Sequence, residues 1–243
     1  VATPRWVIRQ SVVTCSLMTW FALEAVRGKP KCSYEPIVGL SVLAKAVCCP
    51  VRRGGAYHDG KIIFATYDGM LVALQAQDGQ KLWEVQATDR EQSYTITGAP
   101  RLAGDLVVIG NGGAELGVRG YVTAYHVDSG KQAWRWYTVP GNPADGFEND
   151  AMAMAADTWT GQWWEWGGGG TVWDSMVYDP ALGQIYIGVG NGSPWNQSMR
   201  SPQGGDNLFL ASVVALQAST GEYVWNFQTT PGDSWEYTAT QPM

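Results

Sequence analysis

The chain has 243 residues, of which 45% are apolar and 16% are charged, and its formal net charge is −6. This length is sufficient for one large unit with its own core. The negative charge, without any basic stretch, argues against a nucleic-acid partner. No run of 18 apolar residues occurs, so the sequence predicts no membrane-spanning helix.

The 30 glycines and 13 tryptophans favour strands joined by tight turns over a helical protein. Short apolar runs bounded by glycine recur along the chain, and together they predict an all-β fold. The predicted strands are 12–14, 20–23, 61–66, 70–74, 106–110, 121–125, 171–174 and 184–191.

Residues 7–26 could be mistaken for a signal peptide because they are rich in apolar side chains. Thr14, Ser16 and Thr19 interrupt the apolar run, and no cleavage-site pattern follows it. We therefore interpret these residues as strands. We expect the sequence to be a fragment cut at both ends, without its signal peptide.

An eleven-residue pattern recurs along the chain. The copies are ALEAVRGKPKC (22–32), ALQAQDGQKLW (73–83), AYHVDSGKQAW (124–134) and ALQASTGEYVW (215–225). Each copy has an apolar strand end, a polar turn closed by glycine, and an aromatic or sulfur-containing residue four positions later. Trp83, Trp134 and Trp225 occupy that last position, and Cys32 replaces the tryptophan in the first copy.

Such a repeat is one supersecondary unit that must stack on its neighbours to bury its faces. A period of roughly 40–50 residues with glycine and tryptophan signatures is typical of propeller blades, each a sheet of four short strands. We predict one partial propeller domain over 1–243 with about four blades, whose repeats end near 32, 83, 134 and 225. The recurrent tryptophans are expected to pack between blades rather than to bind a ligand.

Two segments are longer than a blade requires. Segment 111–120 carries Glu115 among glycines, which permit close backbone approach to a ligand. Segment 138–170 is a long inserted loop, rich in glycine and proline, with a tryptophan cluster. Loops longer than about 15 residues in a compact fold are usually functional. Both segments are therefore candidate parts of a site.

Cys48 and Cys49 are adjacent. Adjacent Cα atoms lie about 3.8 Å apart, below the usual disulfide range of about 4.4–6.8 Å. By composition alone, two reduced thiols are therefore expected. The cysteine spacing fits no zinc site, no CxxC redox motif and no CxxCH haem attachment site.

Six motifs occur in one order along the chain: CC…RRG (48–54), TITGAP (95–100), GGAELGVRGYVTAY (112–125), GGGGTVW (167–173), GVGNGSPWN (188–196) and TTPGDSWEYTATQ (229–241). In this order they resemble the pyrroloquinoline quinone (PQQ)-dependent alcohol dehydrogenases. The ending is more similar to the quinohaemoprotein enzymes than to the methanol dehydrogenases. The resemblance implies an eight-bladed propeller, of which this chain is a fragment of about half, and a bacterial periplasmic location.

The resemblance also implies a cofactor site. PQQ would stack between the indole of Trp173 and a disulfide joining Cys48 to Cys49, which reverses the expectation from composition and requires an oxidising compartment. Arg53 would pair with the quinone oxygens or a carboxylate. Positions that hydrogen-bond to the cofactor or line it are matched by Thr97, Gly113, Ala114 and Thr171.

Glu115 and Asn191 match ligands of a metal ion that also contacts the cofactor. Oxygen ligands select a hard cation, and Ca²⁺ is expected. Glu236 stands where the family usually has its catalytic aspartate, and we assign it proton abstraction and a metal contact. Thr238 stands where the lanthanide-using relatives carry an extra acid, which argues against a lanthanide.

The sequence departs from the family pattern at several places. Glu236 replaces an aspartate, Val1 stands where a cofactor-binding glutamate is expected, and Arg52 replaces an asparagine. The spacing from Cys49 to Arg53 is one residue shorter than is common. The second half of the propeller and any haem domain are absent from the sequence.

The implied function is oxidation of a small-molecule alcohol to an aldehyde by hydride transfer to PQQ, assisted by Ca²⁺. The electron acceptor would be a cytochrome or a haem domain of the parent protein, with haem c outside this chain. Two alternatives stay open: a non-catalytic propeller scaffold that binds proteins, and a fragment that is inactive in isolation. His58 and His126 are expected at the surface, and Asp233 is expected to have a structural role at a turn.

Overall fold

The computed structural model describes residues 5–7, 10–14, 19–38, 53–174 and 176–240. The described residues form four antiparallel sheets of four strands, in which strand order follows the chain, together with connecting segments. The first sheet contains β1 (Arg5–Val7), β2 (Gln10–Thr14), β3 (Trp20–Glu24) and β4 (Pro30–Tyr34). The second contains β5 (Ala56–His58), β6 (Lys61–Ala65), β7 (Met70–Gln75) and β8 (Lys81–Gln86).

The third sheet contains β9 (Arg101–Ala103), β10 (Leu106–Gly110), β11 (Tyr121–His126) and β12 (Gln132–Tyr137). A separate two-stranded ribbon pairs β13 (Gly168–Gly169) with β16 (Gly192–Ser193). The fourth sheet contains β14 (Met176–Asp179), β15 (Gln184–Gly188), β17 (Ser212–Gln217) and β18 (Tyr223–Gln228). Because the first strands of successive sheets contact one another, β5 with β9 and β9 with β14, the sheets are arranged as propeller blades. The predicted all-β partial propeller of about four blades is confirmed.

Each eleven-residue repeat forms the hairpin between the third and fourth strands of a blade. All four hairpins contain a register shift at the same place, after the leading alanine of the repeat, for example between Ala73 and Leu74. The glycine of each turn has a positive φ, as Gly130 has at 69° and Gly221 at 76°. Glycine takes this conformation without steric cost, so the repeat pattern follows from the turn geometry.

The repeat tryptophans close the junctions between blades, as predicted. The indole of Trp83 donates to the carbonyl of Val127 at 3.0 Å, and its ring packs on Gly130, where an added Cβ would lie 2.6 Å from it. The same contacts join Trp134 to Ala218, at 2.9 Å, and to Gly221. Each pair buries a large apolar ring and satisfies its N–H, which tryptophan needs when it is buried.

The first junction has a different side chain. Cys32 lies over Gly79 with its Sγ 3.2 Å from the position that a glycine Cβ would take. Because a thiol is much smaller than an indole, a small apolar cavity of about 30 Å³ remains there, lined by Trp20, Tyr34, Leu74 and their neighbours. Trp225, on the last strand of the fourth blade, is 41% exposed and packs against Tyr186.

Segment 138–170 is more ordered than the predicted loop. It contains α1 (Asp150–Ala156), whose N-terminus is capped by the side chain of Asn149, and strand β13. The indoles of Trp159 and Trp163 donate to the carbonyls of Leu208 and Pro140. These rings form a buried cluster with Val139 and Leu210, so the segment packs as a layer on one face of the blades.

The strand predicted at 171–174 is not formed, and the fourth blade begins at β14. A second short helix, α2 (Gln197–Arg200), precedes β17. Within the described ranges, no helix combines the length and the apolar character that crossing a bilayer requires.

Candidate functional site

A cavity of about 280 Å³ opens on one face of the blades. Among the residues that the structure describes, every predicted site residue except Ala114 lines it. The lining residues are Arg53, Tyr67, Thr95, Thr97, Gly112, Gly113, Glu115, Thr171, Trp173, Asn191, Glu236 and Thr238. Ala114 is 1% exposed and lies outside the lining, and Cys48 and Cys49 lie outside the described residues.

Strand direction explains why these distant residues meet. In an antiparallel sheet the start of the first strand and the end of the second strand lie side by side at the same end of the sheet. Gly112 and Asn191 follow second strands, β10 and β15, while Thr97 and Trp173 lie in the connections that lead to first strands, β9 and β14. Both kinds of segment therefore lie at the same end of each blade. Successive blades place these segments around one cavity.

Arg53 is the cationic group of the cavity. Its Nη1 donates to the hydroxyl of Thr97 at 2.7 Å, and its Nε lies 3.5 Å from a carboxylate oxygen of Asp174. Its guanidinium carbon lies 4.8 Å from the ring centroid of Trp173, within the range of a cation–π contact. Asp174 was not among the predicted site residues, although it directly follows the predicted indole of Trp173.

Glu115 and Asn191 meet although 76 positions separate them in the chain. The amide nitrogen of Asn191 lies 3.3 Å from a carboxylate oxygen of Glu115. Glu115 belongs to a 3-10 turn that begins after Gly113, which has φ 111°. A Cβ at Gly113 would lie 2.3 Å from the carbonyl oxygen of Ser93, so only glycine permits this close approach.

Glu236 reaches the cavity from the segment that follows the fourth blade. It is exposed and has φ 64°, a left-handed conformation that is uncommon for a residue with a side chain. Asp233 is 3% exposed, and its carboxylate accepts the backbone N–H groups of Trp235 and Tyr237 at 3.0 and 3.1 Å. These contacts support the structural role predicted for Asp233.

The two histidines lie away from this cavity. His126 is exposed and His58 is partly exposed, and neither lines the cavity. In the described part of the chain, no group of three or more His, Cys, Asp or Glu side chains is placed to hold a metal. The candidate metal site instead consists of two carboxylates, Glu115 and Glu236, and the amide of Asn191.

Comparisons with known proteins identify the family of the chain. The family model described as PQQ, "Glucose/ethanol/alcohol dehydrogenase, beta-propeller domain", matches residues 2–243. The chain belongs to this family. The resemblance seen in its motifs to the PQQ-dependent dehydrogenases is confirmed.

Several relatives of the chain are named as quinohemoproteins. The chain is 53% identical to quinohemoprotein alcohol dehydrogenase ADH IIB of Pseudomonas putida, over 93% of this chain and 33% of that protein. The solved structure of ADHIIG from Pseudomonas putida HK5 matches with a TM-score of 0.96 at 52% identity, over 98% of this chain and 35% of that chain. A europium-containing methanol dehydrogenase matches with a TM-score of 0.87 at 34% identity, over 97% of this chain and 42% of that one.

The chain spans about a third of the length of the first curated relatives that it matches.

Proposed function

We propose that this chain forms part of the cofactor- and substrate-binding site of a PQQ-dependent enzyme that oxidises an alcohol to an aldehyde. The observation that supports the proposal is the single cavity in which Trp173 and Arg53 lie together with Glu115, Asn191 and Glu236. Family membership favours an enzyme over a non-catalytic scaffold. The polar groups of the cavity favour it as well, because packing between blades requires none of them.

The residues present fit PQQ chemically. A flat, anionic quinone requires an aromatic surface, a cation and hydrogen-bond donors, and the cavity offers the indole of Trp173, the guanidinium of Arg53 and the hydroxyls of Thr97 and Thr171. Gly113 contributes backbone to the cavity lining. In the proposal, Cys48 and Cys49 would form a disulfide against the opposite face of the quinone. Ala114 is buried next to the lining residues Gly113 and Glu115.

The donor set fits Ca²⁺. Glu115 and Glu236 supply carboxylate oxygens and Asn191 supplies its amide oxygen, and ligands of this type bind hard cations such as Ca²⁺. When bound, PQQ supplies a hydride acceptor and Ca²⁺ a Lewis acid that polarises its carbonyl. Arg53 orients the cofactor through its contacts with Thr97 and Asp174.

Glu236 is the proposed general base. Its carboxylate accepts the proton of the alcohol hydroxyl, a role that contributes about 10²–10⁴-fold in rate when the base is well positioned. The enzyme is proposed to work in the periplasm, where a disulfide persists. Its electron acceptor is proposed to be a c-type haem outside this chain, in a separate cytochrome or in another part of the protein.

The proposal is tested by dye-linked alcohol oxidation in the full-length protein reconstituted with PQQ and Ca²⁺. We expect chelation to abolish activity and added Ca²⁺ to restore it. Glu115→Gln removes a charge from the metal site and is expected to weaken Ca²⁺ binding, measured by titration, by at least about 10-fold. The 243-residue chain is assayed in parallel, to test whether the fragment acts alone.

The matched control is Glu84→Gln, an exposed glutamate on β8 that pairs with Lys81 and lies outside the cavity. Its Ca²⁺ affinity is expected to equal that of the parent. Equal Ca²⁺ affinity in Glu115→Gln would remove Glu115 from the metal site. A full-length protein that neither binds PQQ nor oxidises alcohols would favour the scaffold alternative.

A further inference from the structure

Arg200, the last residue of α2, is a buried arginine that joins three separate segments. Its side chain is 1% exposed. Its Nη1 donates to the carbonyls of Pro194 and Trp195 at 2.6 and 2.8 Å. Its Nη2 donates to the carbonyl of Asp233, and its Nε to the amide oxygen of Asn207 at 3.3 Å. All four acceptors are oxygens of neutral groups.

The burial of this cation makes its hydrogen bonds obligatory. Desolvation lowers the pKa of Arg200 to about 10, with the negative charge of Asp233 acting in the opposite direction, so the guanidinium stays charged at neutral pH. A buried charge that loses a partner costs several kcal/mol. The segments that carry Pro194, Trp195 and Asp233 are therefore fixed relative to one another.

The space for this guanidinium is provided by a glycine beside the candidate site. A Cβ on Gly192 would lie 2.5 Å from Nη1 of Arg200, closer than any side chain tolerates. Gly192 follows Asn191 directly and pairs with Gly169 in the β13–β16 ribbon. Arg200 thus lies immediately behind the backbone that carries Asn191.

The contact with Asp233 connects Arg200 to Glu236. The carbonyl of Asp233 accepts from Arg200, while its carboxylate accepts the N–H groups of Trp235 and Tyr237. These two residues flank Glu236, whose left-handed backbone conformation is strained and persists only when its surroundings impose it. The hydrogen bonds on either side of Glu236 are the contacts that impose it.

We propose that Arg200 is a positioning residue, which acts through Asp233 to fix segment 233–237 and so places the carboxylate of Glu236 beside Glu115 and Asn191. The inference rests on the proposed function for the role of Glu236. The clamp itself, Arg200 to Asp233 to the two flanking N–H groups, is independent of that function.

The test compares Arg200→Lys with Arg135→Lys in the full-length protein. A lysine ammonium cannot reproduce the planar fork that joins carbonyls on separate segments. Arg135 serves as the control because it is partly buried, donates to the carbonyl of Ala87 and the hydroxyl of Thr123, and stacks on Tyr121. Its partners belong to the third blade and to the connection that precedes it, and neither Arg135 nor any of them lines the cavity that holds Glu236.

The first measurement is hydrogen exchange of the amides of Trp235 and Tyr237, which needs no activity. We expect both to exchange at least 10-fold faster in Arg200→Lys and at the parent rate in Arg135→Lys. Asp233→Asn, which keeps the buried cation, is expected to speed the exchange of at least one of these two amides. Unchanged exchange in both Arg200→Lys and Asp233→Asn would overturn the clamp.

The second measurement is steady-state kinetics with PQQ binding followed by titration. We expect Arg200→Lys to lower kcat about 100-fold, as a misplacement of about 1 Å can, with the alcohol KM and the PQQ affinity within about threefold of the parent values. Arg135→Lys is expected to keep the parent kcat. Faster exchange with an unchanged kcat would overturn the positioning role, whereas a parent protein without PQQ-linked activity would overturn the proposed function and leave the clamp intact.

Discussion

At the junctions between blades, Trp83 and Trp134 each pack on a glycine of the next blade and donate to a backbone carbonyl three residues before it. The loops around the cavity are instead joined by charged side chains, such as Arg119 and Arg200, each with its own set of partners. The two junctions use the same tryptophan–glycine contact. The loops around the cavity, which we call the loop layer, are held by polar contacts that differ from one place to the next.

This difference separates stability from function in the molecule. A junction depends on buried area, which is non-directional and tolerates a change of partner, as the contact between Cys32 and Gly79 shows. The loop layer depends on directional hydrogen bonds, and a buried donor or acceptor that loses its partner is expensive. We therefore expect changes at the junctions to alter the free energy of unfolding, and changes in the loop layer to alter site geometry.

The largest expected effect on stability is that of Trp134→Ala. Trp134 is 8% exposed and joins the third and fourth blades, so its loss removes a packed ring and leaves a cavity, at a cost of about 3–5 kcal/mol. Urea unfolding followed by circular dichroism measures this difference. The matched control is Trp235→Ala, because Trp235 is 82% exposed and its loss is expected to leave the unfolding free energy almost unchanged. Equal losses in both variants would contradict the junction role.

In the loop layer, Glu236→Gln is expected to lower kcat by about 10²-fold or more, because the neutral amide cannot accept the alcohol proton. Glu236→Asp shortens the side chain by one methylene and restores the residue usual in the family. Single-turnover kinetics of the reconstituted full-length protein measures both variants. If Glu236→Gln keeps full activity, Glu236 is not the base. Neither variant is expected to change the free energy of unfolding by as much as Trp134→Ala.

At the first junction, Cys32→Trp is expected to stabilise the protein by about 1 kcal/mol, as filling a cavity commonly does. The repeat geometry places the new indole over Gly79 and its N–H towards the carbonyl of Ala76, as Trp83 lies over Gly130 and donates to Val127. Thermal unfolding compares it with Cys32→Ala, which removes the thiol and fills nothing. If Cys32→Trp is no more stable than Cys32→Ala, the first junction cannot accommodate the tryptophan contact found at the other junctions.

The smallest effect is expected for Glu148→Gln, which breaks the ion pair that Arg119 makes at 2.7 Å between the inserted segment and the loop after β10. Burial is the largest single influence and opposes ionisation of Glu148, but the hydrogen bond from Arg119, a backbone hydrogen bond and the positive charge of Arg119 together outweigh it and lower the pKa of the carboxyl. The ion pair is partly exposed, so we expect a loss of about 0.2–1 kcal/mol at pH 7.

The pH dependence of that loss has a defined sign. A lowered carboxyl pKa stabilises the folded state above the unfolded pKa, about 4.3, and the contribution disappears as pH falls through the lower folded pKa. Urea unfolding of the parent and of Glu148→Gln at pH 7 and near pH 3 should therefore give free energies that converge at the acid end. A difference that persists at low pH would show that Glu148 acts through packing.

The sequence by itself determined the blades. The turn glycines and the repeat tryptophans follow from local geometry and a fixed spacing, and the junctions reproduce them at Trp83 and Trp134. The motif order also predicted a group of side chains, from Arg53 to Glu236, that lines one cavity. Their roles stay predictions, and Cys48 and Cys49 lie outside the described residues.

Only the tertiary structure decided how the loops are held. Thr171 and Trp173 line the cavity instead of belonging to the expected strand, and the inserted segment contains a capped helix at Asp150–Ala156. The sequence did not predict that Asp174 contacts Arg53, or that Arg200 donates to the carbonyl of Asp233. The physical reason is that packing of a repeat is periodic in sequence, whereas a polar contact between two loops depends on distances that only the folded chain sets.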